Sequence, residues 1–244
     1  MENGITRLNP ERYAMIVSEL YLLQKPPENL PYLTSVTKKA MQIAHSLHKD
    51  DYSPGEGIPR IHRLVRVGRD VSRHQNLTKA LNREWLVAAA YLQDSIRSFD
   101  KNETGQEALT RIFNNQISGI IMEITEDNSL KTLGKRKENW LERKTLYLSI
   151  LNEASIYGQI IAASYQKDHL NAMIVRYKKE GNSIWAKYNA PADKQIWFIE
   201  EVLKVLKKHE GRNEFLKILT DELGQSFQRA TVRFGIREKN FVLA

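Results

Sequence analysis

An apolar stretch at residues 85–98, WLVAAAYLQDSIRS, constrains the fold of this chain more than any other feature. Its first part, WLVAAAYL, has no charged residue and leaves no wide polar face, so the helix that it predicts must be surrounded by other helices. The polar residues Gln93, Asp94 and Arg97 follow at the C-terminal end. Because buried polar groups need partners, this concentration predicts a binding or catalytic site.

The composition is that of a globular protein with an excess of positive charge. The 244 residues are 41% hydrophobic and 27% charged, and their formal net charge of +8 favours anionic partners. The absence of cysteine excludes a disulfide framework and a thiolate metal site, and it fits a reducing compartment. The N-terminal segment lacks the apolar run of a signal peptide, and no stretch approaches the roughly 18–20 apolar residues of a membrane span. We therefore expect a soluble, cytoplasmic protein that does not bind a membrane.

Apolar residues recur at helical spacing through the chain and predict an all-α fold of roughly nine or ten helices. No alternating run predicts a β-strand. The first predicted helix begins at Pro10 and stops at residues 25–31. Further helices are predicted over residues 34–48, 61–71 (with His62 in the first turn), 85–98, 104–121, 135–151, 156–177 (one or two helices) and 199–206, and after Gly211. Residues 49–59, 124–134 and 180–192 are predicted as connections.

Two helix starts carry local signals. Asn82 is a candidate N-cap for the long apolar helix. Thr104 and Glu107 match a capping box, which should open one helix through Ile121. No repeat or linker divides the chain, so one helical domain is predicted over residues 1–227. Residues 228–244 are predicted as a basic C-terminal extension that docks on the domain, docks on a second copy, or is a disordered tail.

Five segments in order resemble the HD-domain hydrolases of the RelA/SpoT type, especially the small alarmone hydrolases, which are ppGpp 3'-pyrophosphohydrolases. A helix AMQIAHSLHKDDY opens the resemblance and a turn-rich loop follows it. Residues 59–67 stand for the family's Pro-Tyr-Ile-x-His-Pro-Leu-x-Val, and residues 86–98 for Leu-Ala-Ala-Ala-Leu-Leu-His-Asp-x-x-Glu-Asp. Residues 113–130 resemble Phe-Gly-x-x-Val…Val-Thr-Asp-Asp-Lys-Ser-Leu, residues 163–170 Leu-Ala-Asp-Lys-x-x-Asn-Leu, and residues 193–206 Tyr-x-x-Trp-x-x-x-Val-x-x-Leu. The resemblance covers residues 30–227 and implies a single HD-like helical domain.

The resemblance also implies a Mn²⁺ ion held by two histidines and two aspartates, which would polarise a pyrophosphate and activate water. With one residue fewer before the histidine, His62 matches the first histidine, and Asp94 matches the first aspartate. Gln93 replaces the second histidine and Tyr165 replaces the second aspartate. A glutamine offers only a neutral oxygen and a tyrosine is protonated near neutral pH, so His62 and Asp94 are interpreted as vestigial and no metal is expected.

The family's Glu-Asp pair, which assists catalysis, is replaced by Arg97 and Ser98, so no catalytic residue is identified. The replacement of an aspartate by Tyr165 and of a glutamate by Arg97 should weaken cation binding and favour anion binding. His169 lies near the predicted site and could supply one replacement ligand. We therefore regard His62, Gln93, Asp94, Arg97, Tyr165 and His169 as the ligand-binding candidates.

The leading hypothesis is a catalytically impaired HD-domain protein that binds a phosphorylated nucleotide or a protein partner. Alternatively, the polar residues of the site are satisfied buried groups without a ligand. A second alternative is an active Mn²⁺-dependent (p)ppGpp or related pyrophosphohydrolase with a rearranged metal site. A third is a basic nucleic-acid-binding protein, based on the lysine and arginine clusters at residues 135–137, 143–144, 178–179 and 204–208. Acidic residues lie among these clusters, and no nucleic-acid motif accompanies them.

Overall fold

The computed structural model describes residues 34–48, 50–52, 59–73, 81–98, 104–126 and 137–236, and this part of the chain is all-α, as predicted. The α-helices of this part are α1 (Ser35–His48), α2 (Arg60–Ser72), α3 (Arg83–Leu92), α4 (Gly105–Ile112), α5 (Asn115–Glu123), α6 (Trp140–Glu153), α7 (Ile156–Glu180), α8 (Ala192–His209) and α9 (Glu214–Phe234). Short 3₁₀ helices lie at Ser95–Ser98, Gly181–Lys187 and Glu210–Arg212. The predicted helix from Pro10 and its stop at residues 25–31 lie outside the described residues.

Helix α3 is the centre of the domain. It packs against α1, α2, α5 and α7, and each of its residues from Leu86 to Leu92 is fully buried. Its N-terminus is the predicted one, because the Asn82 side chain accepts a hydrogen bond from the Trp85 amide at 3.1 Å. The apolar stretch that predicted a helix surrounded by others therefore occupies that position.

The predicted helix over residues 85–98 was too long. Helix α3 ends at Leu92, and Gln93 and Asp94 form a turn before the 3₁₀ helix Ser95–Ser98. Aspartate and serine compete with helical hydrogen bonding through their own side chains, which favours a break here. The turn places the polar residues at the end of α3, beside α2.

The capping box at Thr104 and Glu107 is confirmed, since the Thr104 hydroxyl accepts from the Glu107 amide at 3.2 Å and the Glu107 carboxylate accepts from the Thr104 amide at 2.9 Å. The single helix predicted through Ile121 is wrong. Asn114 has an extended backbone and its side chain accepts from the Ile117 amide at 2.8 Å, so it caps a new helix, α5.

Three further boundaries differ from the prediction. Helix α6 begins at Trp140 rather than at residue 135, because residues 137–139 form a turn. Helix α8 begins at Ala192 rather than at residue 199, whereas helix α7, predicted as one or two helices, is one continuous helix of 25 residues capped by Ser155. Residues 181–187, predicted as loop, form a 3₁₀ helix whose Ile184 side chain is fully buried.

Helix α9 runs without a break across the predicted domain boundary at residue 227. Ala230, Thr231 and Phe234 in its last turns are buried, and Gly235 ends the helix in the left-handed conformation with φ of 66°. Residues 228–234 therefore pack on the domain. Residues 237–244 of the predicted extension lie outside the described part of the chain.

An ionic network connects α2, α7 and α9. The Lys167 ammonium donates to Asp70 at 2.9 Å and to Glu222 at 2.6 Å, and Ser164 donates to Asp70 at 2.5 Å. Arg73 also pairs with Glu222. These contacts fix α2 against α7, and the two helices form one wall of the site described below. No helix within the described residues is long and apolar enough to cross a bilayer.

The close approach of α2 to α3 at Gly68 leads to a stability prediction. A Cβ atom added at Gly68 would lie 2.2 Å from the ring of Tyr91, which is fully buried. We expect Gly68→Ala to lower the free energy of unfolding by about 1–3 kcal/mol, because the helices must separate.

Gly224→Ala in α9 is the matched control, because a Cβ atom there meets nothing within 4 Å. It should leave stability unchanged or raise it by up to about 1 kcal/mol through helix propensity. Urea unfolding followed by circular dichroism measures both variants. Equal stabilities for the two would contradict the proposed packing.

Candidate ligand-binding site

A cavity of about 230 Å³ lies at the C-terminal end of α3, between α2, α6, α7 and the start of α8. Its lining contains four cationic side chains (Arg60, Arg63, Arg143 and Lys144), two carboxylates (Asp94 and Glu126) and five aromatic rings (Trp140, Tyr147, Tyr165, Tyr188 and Phe198). The remaining lining residues are Gln93, Ile124, Thr125, Ala162, Gln166, His169, Asn189 and Gln195.

Helix α2 presents Arg60 and Arg63 to the cavity, and His62 is not among the lining residues. His62 lies half-buried elsewhere on α2, where burial and the nearby Arg66 lower the pKa of its imidazole. The match that placed His62 at the family's first histidine required a gap of one residue. Without that gap, residues 59–67 align with the whole motif and Arg63 stands at the histidine, in agreement with its position on the cavity wall.

The Arg63 side chain is only 5% exposed, as is that of Arg143. Arg63 donates to the Tyr165 hydroxyl at 3.1 Å and to His169 Nδ1 at 2.9 Å, and its Nε lies 3.5 Å from an Asp168 carboxylate oxygen. Its guanidinium also lies 5.1 Å from the centroid of the Tyr165 ring. Asp168 in turn accepts two hydrogen bonds from Arg66, at 2.6 and 2.8 Å. These contacts fix one guanidinium between α2 and α7.

The protonation states of the neighbouring side chains agree with this arrangement. Burial lowers the pKa of His169 well below its usual value, and Arg63 and Lys144 lower it further. His169 is therefore neutral, and Nδ1 must be the bare nitrogen because a guanidinium can only donate. Burial raises the pKa of Tyr165, and Asp94 adds to the effect although Arg63 opposes it. Tyr165 keeps its proton at neutral pH.

Arg60 pairs with Asp94 at the C-terminal end of α3, with 3.1 Å between Nη1 and Oδ2. Burial acts to lower the pKa of Arg60, but Asp94, with Tyr165 and Asp51, outweighs burial and the pKa is raised. Asp94 is therefore held by a guanidinium, a contact that competes with any role as a metal ligand.

A second ionic group lies in the cavity wall formed by α6. The Glu126 carboxylate accepts from Arg143 at 2.6 Å and from Lys144 at 2.5 Å. Arg143 is also held by the Asn139 side chain at 3.2 Å, and the Lys144 ammonium lies 4.2 Å from the centroid of the Phe198 ring. Both cations of this wall therefore have a contact besides the carboxylate.

Three polar atoms of uncharged side chains on the cavity walls are buried without a hydrogen-bond partner among the described residues: Gln93 Nε2, Gln166 Oε1 and the Tyr188 hydroxyl. Leaving such groups unpaired costs about 1–3 kcal/mol each. Their position on the walls makes them candidate contacts for a polar ligand.

The structure brings together four of the six predicted candidates: Gln93, Asp94, Tyr165 and His169 line the cavity. His62 does not line it, and the side chains of Arg97 and Ser98 lie outside what the structure describes. Sequence reasoning missed the cations and carboxylates of the walls, which are Arg60, Arg63, Arg143, Lys144 and Glu126. Arg60 and Arg63 are three residues apart on one helix face, which was an available signal.

The residues of the site do not fit the Mn²⁺ ion that the resemblance implies. Within the described residues, no group of three or more histidine, cysteine, aspartate or glutamate side chains comes together to hold a metal. At the four positions matched to the family's ligands, the gap-free alignment leaves one carboxylate, Asp94, beside Arg63, Gln93 and Tyr165. A guanidinium repels a cation and cannot donate an electron pair.

The buried imidazole of His169 predicts a pH dependence of stability. Unfolded His169 takes up a proton as the pH falls below about 6.5, whereas the folded residue stays neutral, so unfolding becomes easier by up to about 1.4 kcal/mol per pH unit. This loss stops once the pH reaches the lowered pKa of the folded residue. His169→Gln should make the free energy of unfolding less dependent on pH between about pH 7.5 and about pH 5.5.

Chemical denaturation at both pH values measures the difference between wild type and variant. His62→Gln is the comparison variant, and its effect should be smaller because His62 is only half-buried. An unchanged slope in His169→Gln would contradict the neutral, buried assignment.

No protein-family model matches this chain, and no curated protein sequence matches it. Among solved structures, a metazoan ortholog of SpoT that hydrolyses ppGpp and plays a role in starvation responses is similar over 82% of this chain and 98% of its own chain. The TM-score is 0.57 and the sequence identity is 19%. The fold predicted from the resemblance to the HD-domain hydrolases of the RelA/SpoT type is thus confirmed.

Proposed function

We propose that this chain binds a phosphorylated nucleotide in the cavity and does not hydrolyse it. The observation that supports the proposal is the convergence of four cationic side chains, Arg60, Arg63, Arg143 and Lys144, on one cavity that also carries aromatic rings. The cations outnumber the two carboxylates of the lining, so the cavity favours anions.

The cations suit phosphate groups in particular. Arginine presents a planar fork of donors that matches phosphate oxygens, and lysine adds a compact point charge. Arg60 and Arg63 lie on the α2 wall, and Arg143 and Lys144 on the α6 wall. Cations supplied by two different helices suit a ligand with more than one phosphate group.

The aromatic rings supply a surface for a base. Trp140 lies edge-on to Phe198 with 6.2 Å between ring centroids, and Tyr147 lies 5.8 Å from the same ring. Base stacking on such rings contributes about 1–3 kcal/mol. The cavity is smaller than the roughly 300–1,000 Å³ of pockets for drug-sized ligands, so it would enclose the phosphates and only part of the nucleoside. The structural neighbour acts on ppGpp, which makes guanosine polyphosphates the first ligands to test.

The absence of hydrolysis is proposed from the donor set. The metal-dependent reaction needs anionic or imidazole ligands, and Arg63 and Tyr165 replace two of them with a guanidinium and a protonated phenol. The alternative of an active Mn²⁺-dependent hydrolase requires ligands that the described residues do not assemble.

Surface cations give little support to the nucleic-acid alternative. Lys204 pairs with Glu200 at 3.0 Å and with Glu201 at 2.9 Å, and Lys187 pairs with Glu180 at 2.6 Å. The charges of these surface lysines are therefore neutralised locally by neighbouring glutamates. A protein partner remains the outcome to pursue if no nucleotide binds.

Nucleotide binding is tested by calorimetry with ppGpp, GDP and ADP, and with guanosine as the ligand without phosphate. A ligand at about a hundred times its dissociation constant should add roughly 2.7 kcal/mol of stability, or about 2–4 °C in melting temperature. Guanosine should bind far more weakly than GDP, because the cations have no phosphate to contact.

Lys144→Ala should weaken nucleotide binding about tenfold, because one cation of the cavity is lost. Lys204→Ala is the matched control, since Lys204 also pairs with glutamate but does not line the cavity. If both variants bind like wild type, or if wild type binds no nucleotide, the proposed function is wrong.

Hydrolysis is tested separately by incubating the protein with ppGpp and Mn²⁺ and measuring released pyrophosphate. We expect no release above that of the buffer. A Mn²⁺-dependent release that Asp94→Ala abolishes would establish the hydrolase alternative instead.

A further inference from the structure

We infer that the Glu126 carboxylate occupies a phosphate subsite of the cavity and that a bound phosphate group replaces it on Arg143 and Lys144. The inference rests on the proposed function, since it assigns one phosphate of the ligand to one place in the same cavity. It makes Glu126 an internal competitor of the ligand.

The Glu126 carboxylate is bound by two cations at once. One oxygen of Glu126 accepts from Arg143 at 2.6 Å and the other from Lys144 at 2.5 Å, and all three residues line the cavity. Two cations on consecutive residues of α6 thus converge on one small anion. A phosphate group presents three oxygens and nearly two negative charges to the same donors.

Arg143 and Lys144 each have a second contact that does not involve the carboxylate. The Asn139 side chain accepts from Arg143 Nε at 3.2 Å, and Lys144 lies over the Phe198 ring at 4.2 Å from its centroid. The Arg143 side chain is only 5% exposed, so its position is set by packing as well. A site whose donors are fixed in advance loses little entropy when the ligand changes.

Glu126 lies outside the helices. Helix α5 ends at Glu123, so Glu126 follows the helix rather than belonging to it. The carboxylate can leave the cations at a smaller cost than a side chain within a helix that packs in the core.

Glu126→Gln tests the inference because the amide keeps the shape of the side chain and removes its charge. We expect the variant to bind inorganic pyrophosphate about tenfold more tightly than wild type, because the ligand no longer displaces a charge-assisted pair. Calorimetry measures the affinities. The variant should also unfold at a lower temperature than wild type without ligand, and pyrophosphate should restore more of its stability than it adds to wild type.

Glu180→Gln is the matched control. Glu180 also accepts from an arginine and a lysine, Arg176 at 3.0 Å and Lys187 at 2.6 Å, but it does not line the cavity. Its pyrophosphate affinity should equal that of wild type. A tenfold gain in both variants would mean that the loss of any negative charge favours pyrophosphate, and it would overturn the subsite.

The two proposals fail in different ways. If wild type binds nucleotides and pyrophosphate, and Glu126→Gln binds pyrophosphate no more tightly, the subsite is wrong and the proposed function stands. If neither protein binds a nucleotide or pyrophosphate, the proposed function fails and the subsite fails with it.

Discussion

The site depends on one buried guanidinium. Taking a charge out of water costs several kcal/mol unless the protein supplies partners, and Arg63 is almost completely enclosed. Its partners come from one face of α7, namely Tyr165, Asp168 and His169. The contact between α2 and α7 is therefore a polar one at the cavity and an ionic network further along, through Asp70 and Lys167. A change at Arg63 would disturb both the cavity and the packing of the two helices.

The replacements at this site are mutually consistent. Arg63 needs acceptors, and helix α7 supplies them. The Tyr165 hydroxyl and His169 Nδ1 accept its hydrogen bonds, and an Asp168 carboxylate oxygen lies 3.5 Å from its Nε. The cavity is thus built around a fixed positive charge supplied by the chain itself, at a place where the resemblance implies a metal ion.

Local signals predicted much of the fold but less of the site. The caps at Asn82 and Thr104 depend on a few neighbouring residues, and both occur as expected. The breaks at Gln93 and Asn114 were missed because apolar spacing continues across them, and only the side-chain hydrogen bond of Asn114 shows where the new helix begins. Helical periodicity cannot detect such competition between a cap and a helix interior.

The site was harder to predict because its charges lie far apart in the chain. Gln93, Asp94 and Tyr165 were found through motifs, whereas Arg63 was missed by a gap of one residue. The gap matched a histidine, His62, to the family's histidine, whereas the motif without a gap assigns that position to Arg63. Glu126 and Arg143 are 17 residues apart, and no pattern in either segment predicts their pairing. Glu126, which follows α5, and Arg143, which lies on α6, come together only through the packing of α6 against the core.

The ion pairs within the cavity would influence which anions the proposed site prefers. Asp94 contacts Arg60 and Glu126 contacts Arg143 and Lys144, so the cations are already partly neutralised within the chain. A ligand gains only the difference between its own interaction and that of the carboxylate that it replaces. A carboxylate ligand would exchange one negative charge for another and gain little. A phosphate group brings up to about two charges and three acceptor oxygens, so the exchange favours it. Under the proposed function, the same carboxylates would weaken binding of every anion and would increase the preference for phosphorylated ligands over carboxylic acids.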